Sequence, residues 1–594
     1  LENYLNTITL NDGAEITGTG QRIGWQSNGS ITVGGTSAST ISSEIQLVNG
    51  GAPFATQREI AFNVADVTSD AGTDLTVSGT LSDFATTGAY SGATLVKNGA
   101  GTMELTTTNT YTGATVVNDG TLKLNAGGLA FNEGVLQDTS SITVNSGATL
   151  DVANIGNTKD TTAIVLDGGT LHLSAGTGGG GPGANYTNNL TLNSGAQVTG
   201  ATADDGLRFG YFNNATVTVG GSSASTINTD VMLINNTGGR SVTFDVADAS
   251  SSSASDLTIS GNIIDFGGGG LTNAPLIKTG VGTMELTGTN TYAGTTTVNQ
   301  GTLELAGSGL TLGHTVIIDG ATDGTATMRL TGSGGGANNM LSDAVVTIQN
   351  GGTLDDATTD ANVQSMGTLT FNNGGTMSSS DVSPNATFGN YFIKGGVIVT
   401  GNAAATINAT ELSMNGTQTF NVADATNDAS ADLTISSEII SGALIKTGTG
   451  TLTLSGTNTY TGGTTVNAGT LNLDGGAKTL TQFGTLTVDG ASSLVQLGPT
   501  VGGNNIIDNM VVNIQNGGTV DDTTTSGYVH SMGATTFTNG GTLSSTGTGY
   551  NGTFGNYLFN GNIAVTGNAA ATINADAITI NGAKIITVDD VTSD

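Results

Sequence analysis

From Thr102 the chain reads "TMELT", with apolar and polar residues alternating one by one. Met103 and Leu105 fall on one side, and Thr102, Glu104 and Thr106 on the other. A period of two predicts a β-strand with one buried face, Leu105 inward and Glu104 toward solvent. The alternation returns in short pieces separated by "VNDGTL", "VNSGATL", "IQNGGTL", "FNNGGTM" and "LDGGTL". Asn and Gly tolerate the left-handed backbone that a sharp corner requires. A clean Asn-Gly pair would predict hairpins. Here the spacer is mostly Asn-x-Gly, and the apolar set resumes on the same side. No stretch shows a helical period. The pattern predicts an all-β chain that coils, each turn stacking on the one before.

Thirty residues recur almost unchanged. "LVKNGAGTMELTTTNTYTGATVVNDGTLKL" from Leu95 returns as "LIKTGVGTMELTGTNTYAGTTTVNQGTLEL" from Leu276 and as "LIKTGTGTLTLSGTNTYTGGTTVNAGTLNL" from Leu444. A longer period surrounds them. "FNVADVTSDAGTDLTVSG" from Phe62 matches stretches from Phe244 and Phe420, and "VVTIQNGGTLDD" from Val345 matches "VVNIQNGGTVDD" from Val511. The long units run 1–182, 183–361 and 362–527, with a partial fourth over 528–594. Similar pieces repeated in phase are expected of one continuous solenoid. Both chain ends fall inside the pattern, and Leu1 is not Met, so the expectation is a window on a longer, processed or truncated protein.

The thirty-residue run, with "FxVADxxxxxxxDLTISG" ahead of it, resembles the autotransporter-associated β-strand repeat of bacterial passenger domains. The resemblance implies a right-handed parallel β-helix, secreted or displayed at the cell surface.

Composition narrows the partners. With 46 acidic against 13 basic residues, the formal charge is −33. Such a surface repels nucleic acid and anionic lipid. No apolar run reaches the ~20 residues of a membrane-spanning helix, so membrane insertion is not expected. Cysteine is absent, which removes disulfides, thiolate metal sites and a Cys nucleophile. The expected partners are other copies of the chain in a fibrous or surface assembly, or glycans and a host or cell surface.

Several residues could carry chemistry. Lys97, Lys278 and Lys446 stand beside Gly-x-Gly, but no helix N-terminus follows to complete a phosphate cradle. A solvent-facing lysine at a strand end fits better. Asn109, Asn290 and Asn458 each open an "NTY" in which Asn closes a corner and Tyr covers the core, with sugar stacking as the alternative. Asp66, Asp70 and Asp74, and again Asp424, Asp428 and Asp432, are spaced by four. Clustered oxygen ligands make them candidate calcium sites, although the spacing fits no known calcium loop, and a solvated, self-repelling loop is the alternative. The middle copy keeps Asp248 and Asp256 around Ser252. No other cofactor is expected. The pairs Asp355–Asp356 and Asp521–Asp522 follow strands and read as turns, and His172, His314 and His530 show no recurring partner. No irregular acid–base cluster interrupts the repetition, so the expectation is a non-enzymatic structural or adhesive protein. The alternative is a β-helix lyase or hydrolase acting on polysaccharide.

Overall fold

The computed structural model describes residues 2–589 apart from 19, 21, 25–27, 48–57, 84–91, 127–134, 154–161, 175–186, 201–205, 211–212, 236–237, 252–253, 266–273, 308–311, 313, 323, 333–338, 360–361, 381–386, 477–478, 481–483, 499, 501–502 and 548–552. Among the described residues every regular element is a β-strand. No helix among them is long and apolar enough to cross a membrane. The chain divides into two compact units, Leu1–Thr295 and Thr296–Asp594. In each, strands stack in parallel, as an all-β parallel β-helix requires.

In the first unit, strand Glu59–Val64 leads through the acidic loop to Thr73–Val77 and then Leu81–Asp83. The next rung runs from Thr94–Asn98 to Thr102–Leu105. Rungs stack in register: Leu95 lies on Ile60, Lys97 on Phe62 and Leu105 on Val77. Leu122 and Leu124 then lie on Met103 and Leu105. These apolar side chains are fully buried, each removal from water contributing about 1.5–3 kcal/mol. Glu104 points to the outer face as expected, yet its side chain is only 13% exposed. Neighbouring rungs enclose it: Asn125 Nδ2 donates to it at 2.6 Å, Thr73 Oγ1 at 3.2 Å, and Lys123 Nζ lies 3.4 Å away.

The second unit differs at its corners. Strands Gln364–Asn372, Glu411–Val422, Glu438–Thr447 and His530–Thr538 each join two faces of a rung in one long element. Leu369 and Phe371 alternate inward along the first of these, and Val397 and Val399 of strand Val397–Thr400 stack on them in register.

Asparagines line the outer corner in hydrogen-bonded columns. In the first unit Asn98 donates to Asn63 at 3.0 Å, Asn118 to Asn98 at 2.8 Å and Asn145 to Asn118 at 2.7 Å. In the second, Asn350 donates to Asp319 at 2.7 Å and Asn373 to Asn350 at 3.1 Å. Asn516 and Asn539 repeat this arrangement above Asp489, at 2.7 and 3.2 Å. The parallel stacking places like side chains one rung apart, about 4.8 Å, within reach of such bonds.

Candidate functional site: a buried polar corner that recurs

Alternation puts Lys97 in phase with Leu95, and the structure follows the alternation. Lys97, Lys278 and Lys446 are fully buried, which corrects the expectation of solvent-facing lysines. Each stem packs in the core, and its ammonium collects backbone carbonyls at the corner. Lys97 Nζ donates to Asn98, Gly99 and Asp119 carbonyls at 3.2, 2.6 and 3.0 Å. Lys446 Nζ meets Thr447, Gly448 and Ala468 at 2.9, 2.7 and 3.1 Å. Lys278 Nζ meets Thr279 and Gly280 at 2.9 and 2.7 Å. The lysine thus satisfies corner carbonyls of its own rung and, for Lys97 and Lys446, of the next. Burial pushes all three lysines down to about 8, against the opposing pull of Asp74 and Asp119 on Lys97, Asp245 and Asp256 on Lys278, and Asp432 on Lys446.

The Gly-x-Gly beside each lysine has a geometric reason. Gly99, Gly280 and Gly448 adopt φ of +78°, +74° and +76°, which turns their carbonyls toward the ammonium. At the second glycine, a Cβ on Gly101 would lie 2.3 Å from the Ala65 carbonyl oxygen and 2.7 Å from the Asp74 carboxylate. The space is kept for that carboxylate.

Asp74 is the last residue of its spaced triplet, and it enters the core through a break in register. Thr102 pairs with Thr73 but Met103 pairs with Leu75, so Asp74 is the extra residue of a β-bulge. Its Oδ1 accepts the Val67 and Thr68 N–H groups and the Thr68 hydroxyl, all at 2.9 Å, and Oδ2 accepts Thr102 N–H at 2.7 Å. Asp432 repeats this with Ala425, Thr426 and Thr451 N–H at 2.7, 2.7 and 2.6 Å. Asp256 does so with Ala249, Ser250 and Thr283 at 2.9, 2.8 and 2.8 Å.

The other acids of each set stay apart. Asp66 and Asp70 are exposed and accept Ser69 and Gly72 N–H, both at 2.7 Å, within the loop. Asp428 is exposed and accepts Ser430 N–H at 2.7 Å, a bond that holds its carboxyl below the usual range. Asp424 is exposed as well. Ser252 lies outside the described residues. Among the described residues no three His, Asp or Glu side chains gather as a metal cage. The third aspartate of each set ties the loop to the core.

The "NTY" corner forms as the residues predict. Asn109 Oδ1 accepts Leu81 N–H from the rung below at 2.8 Å, and Nδ2 donates to Val135 of the rung above at 3.0 Å. Asn458 makes the equivalent bonds to Ile439 and Thr479 at 3.0 and 2.9 Å. Tyr111 and Tyr460 are buried, each 2.5 Å from the hydroxyl of Thr115 or Thr464, so neither offers a ring face to a sugar.

Each thirty-residue run carries a buried lysine and a corner asparagine, with the tying aspartate in the chain ahead of it, and a family model matches those runs at 95–124, 276–305 and 444–473. These three runs are similar to the passenger-associated-transport-repeat. The match agrees with the resemblance to autotransporter passengers. No curated protein and no solved structure matches the chain.

Outside these three runs, the acid pairs are not turns. Asp355 and Asp356 close strand Thr353–Asp356, and Asp521 and Asp522 close Thr519–Asp522. Within each pair the carboxylates point to opposite faces of the strand. Asp355 accepts the Ser378 hydroxyl at 2.8 Å on the outer face, while Asp356 is buried and accepts the Thr358 hydroxyl at 2.7 Å. Asp522 is also buried, receives Asn556 Nδ2 at 3.0 Å, and lies 3.4 Å from Nε2 of buried His530. His530 therefore has a carboxylate partner that its sequence neighbours do not reveal. Burial would raise Asp522, but the His530 and Thr524 contacts outweigh it and leave it lowered. His314 Nε2 bonds the Thr296 hydroxyl at 2.8 Å, and burial pushes it down to about 4. His172 Nδ1 bonds the Thr199 hydroxyl at 2.8 Å.

Proposed function

We propose that this chain is a non-enzymatic, passenger-type solenoid displayed outside the cell, as a surface stalk or a subunit of a coat or fibre. The observation that carries the reading is the use of its recurrent polar residues. Lys97, Asp74 and Asn109 all turn inward and bind backbone, so the motif stacks rungs and leaves the outer faces for contact. The divergent pairs Asp355–Asp356 and Asp521–Asp522 support the same reading, because cooperating acids must both reach one bound substrate, and the second acid of each pair is buried on the other side of the strand. Neighbouring copies are the expected partners. A formal charge of −33 must be screened before such surfaces pack closely, so divalent cations are expected to promote association.

Protease added to intact producing cells should release fragments of the chain, and electron microscopy of those cells should show rods or fibres. Cleavage that requires prior lysis would overturn the reading.

A further inference from the structure

We propose that the face bearing Phe388 and Phe392 is a binding site for neutral glycans, with pyranose rings stacking on the aromatic pair. The proposal rests on the surface-display reading above and names what that surface holds.

Aromatic side chains in this chain are largely spent on the core. Among the described residues two phenylalanines are exposed, Phe388 at 39% and Phe554 at 44%. They occupy the same place in "TFGNYFIKG" and "TFGNYLFNG". The backbone holds Phe388 out. Gly389 follows it at φ +67°, and a Cβ there would lie 2.7 Å from the Glu411 carbonyl oxygen. Phe392 points outward from strand Tyr391–Ile393, between two buried neighbours. The rings lie 4.9 Å apart, tilted by 44°.

Polar groups stand at the edge of this pair. Lys394 Nζ lies 5.5 Å from the centre of the Phe392 ring and 2.7 Å from Asp343 Oδ1. Ser365 Oγ donates to the same oxygen at 2.5 Å and also contacts Asn339 Oδ1. Asn339, Ser342 and Asp343 adopt φ of +59°, +42° and +65°, a disfavoured backbone for residues other than glycine. That turn presents the Asp343 carboxylate beside the aromatic pair.

This combination selects its occupant. The C–H face of a pyranose stacks on an aromatic ring, and vicinal hydroxyls both donate and accept, as an adjacent ammonium and carboxylate require. The ion pair is neutral in itself, and the charge of −33 around it disfavours polyanions. Two phenyl rings match one or two sugar rings, whereas a stable protein partner needs roughly 800 Å² on each side. The Phe554 copy keeps one ring, with Leu558 in place of Phe392 and the pair Asn560–Asn509, at 2.5 Å, in place of Lys394–Asp343. Seven successive strand pairings separate the two copies, about 34 Å at the usual spacing. A polysaccharide bridging both would gain avidity.

The test measures retention of the purified chain on immobilised maltohexaose, cellohexaose, chitohexaose and mannohexaose. At least one should hold the wild type, and Phe388→Ala with Phe392→Ala should weaken it more than tenfold. Phe388→Leu, which keeps apolar bulk without the ring, should weaken it about as much as Phe388→Ala and leave thermal unfolding unchanged. The proposal falls if no oligosaccharide is held, if the ring variants bind as well as the wild type, or if they change only the sedimentation of the protein, which would mean that a second copy covers the patch. Protease release from intact cells, run in parallel, separates the two readings: release without glycan binding removes the site and leaves surface display standing.

Discussion

The Lys446–Asp432 corner and the rung that carries Asp522 both bury charge, yet they vary differently along the chain. The corner keeps its residue types in all three copies, and nearly all its bonds go to backbone. At the second position Asp356 and Asp522 are both retained, but the residue that faces Asp522 as His530 is Gln364 in the earlier copy. A group that satisfies backbone cannot change without leaving carbonyls or N–H groups buried and unpaired. A contact between side chains can be exchanged for another of similar shape. Partners, more than depth of burial, set how much a buried charge can vary.

Asp432→Ala is expected to give the largest loss, about 4 kcal/mol or more, because three N–H groups and a hydroxyl lose their acceptor. Amide exchange at Ala425, Thr426 and Thr451 should accelerate together. Exchange limited to one of them would mean the carboxylate does not act as a single tie.

Lys446→Met should cost less, about 1–2 kcal/mol in urea unfolding, since losing three carbonyl contacts is partly offset by no longer burying an ammonium. Its pH dependence is sharper. The buried lysines titrate near 8, below the ordinary 10.5, so between those values the unfolded chain holds more protons and stability rises with pH. Above about 10 the trend reverses. Burial holds Tyr460 up to about 12 and Tyr111 higher still, so the unfolded chain loses those protons first. Lys446→Met should flatten the rise. A wild type whose stability falls steadily from pH 7 to 9 would contradict this.

His530→Gln brings in the residue of the earlier copy and should change stability at neutral pH by less than about 1 kcal/mol. Asp522 is held below its ordinary range partly by His530, so its contribution is present at neutral pH and lost as pH falls through the lowered value. The variant should begin acid unfolding at a higher pH, followed by circular dichroism. Identical acid transitions would show that Thr524 and Asn556 suffice.

Strand, corner and stacking were legible because parallel coiling preserves the period of two, and the inward Leu105 follows from it. The lysine was legible too, since Lys97 shares the phase of Leu95, but lysine's usual preference for water argued the other way. Its third acceptor, on Asp119, comes 22 residues later and becomes a neighbour only after the rung closes. Asp74 was hidden because a bulge exists only relative to a partner strand. Phe388 has the composition of a core residue, and only the turn at Gly389 puts it outside.

The asparagine columns give the coil a direction. In each the amide of the later rung donates to the earlier one, and in the second unit two columns begin on a carboxylate, Asp319 or Asp489, which can only accept. They finish where Asn373 and Asn539 accept backbone N–H groups from Asn402 and Asn568, at 2.7 and 3.0 Å. Asn516→Asp would preserve volume, yet a second carboxylate would then stand against Asp489 where a donor is needed. The outer corner therefore reads in one direction only, and its residues encode an order along the coil as well as a set.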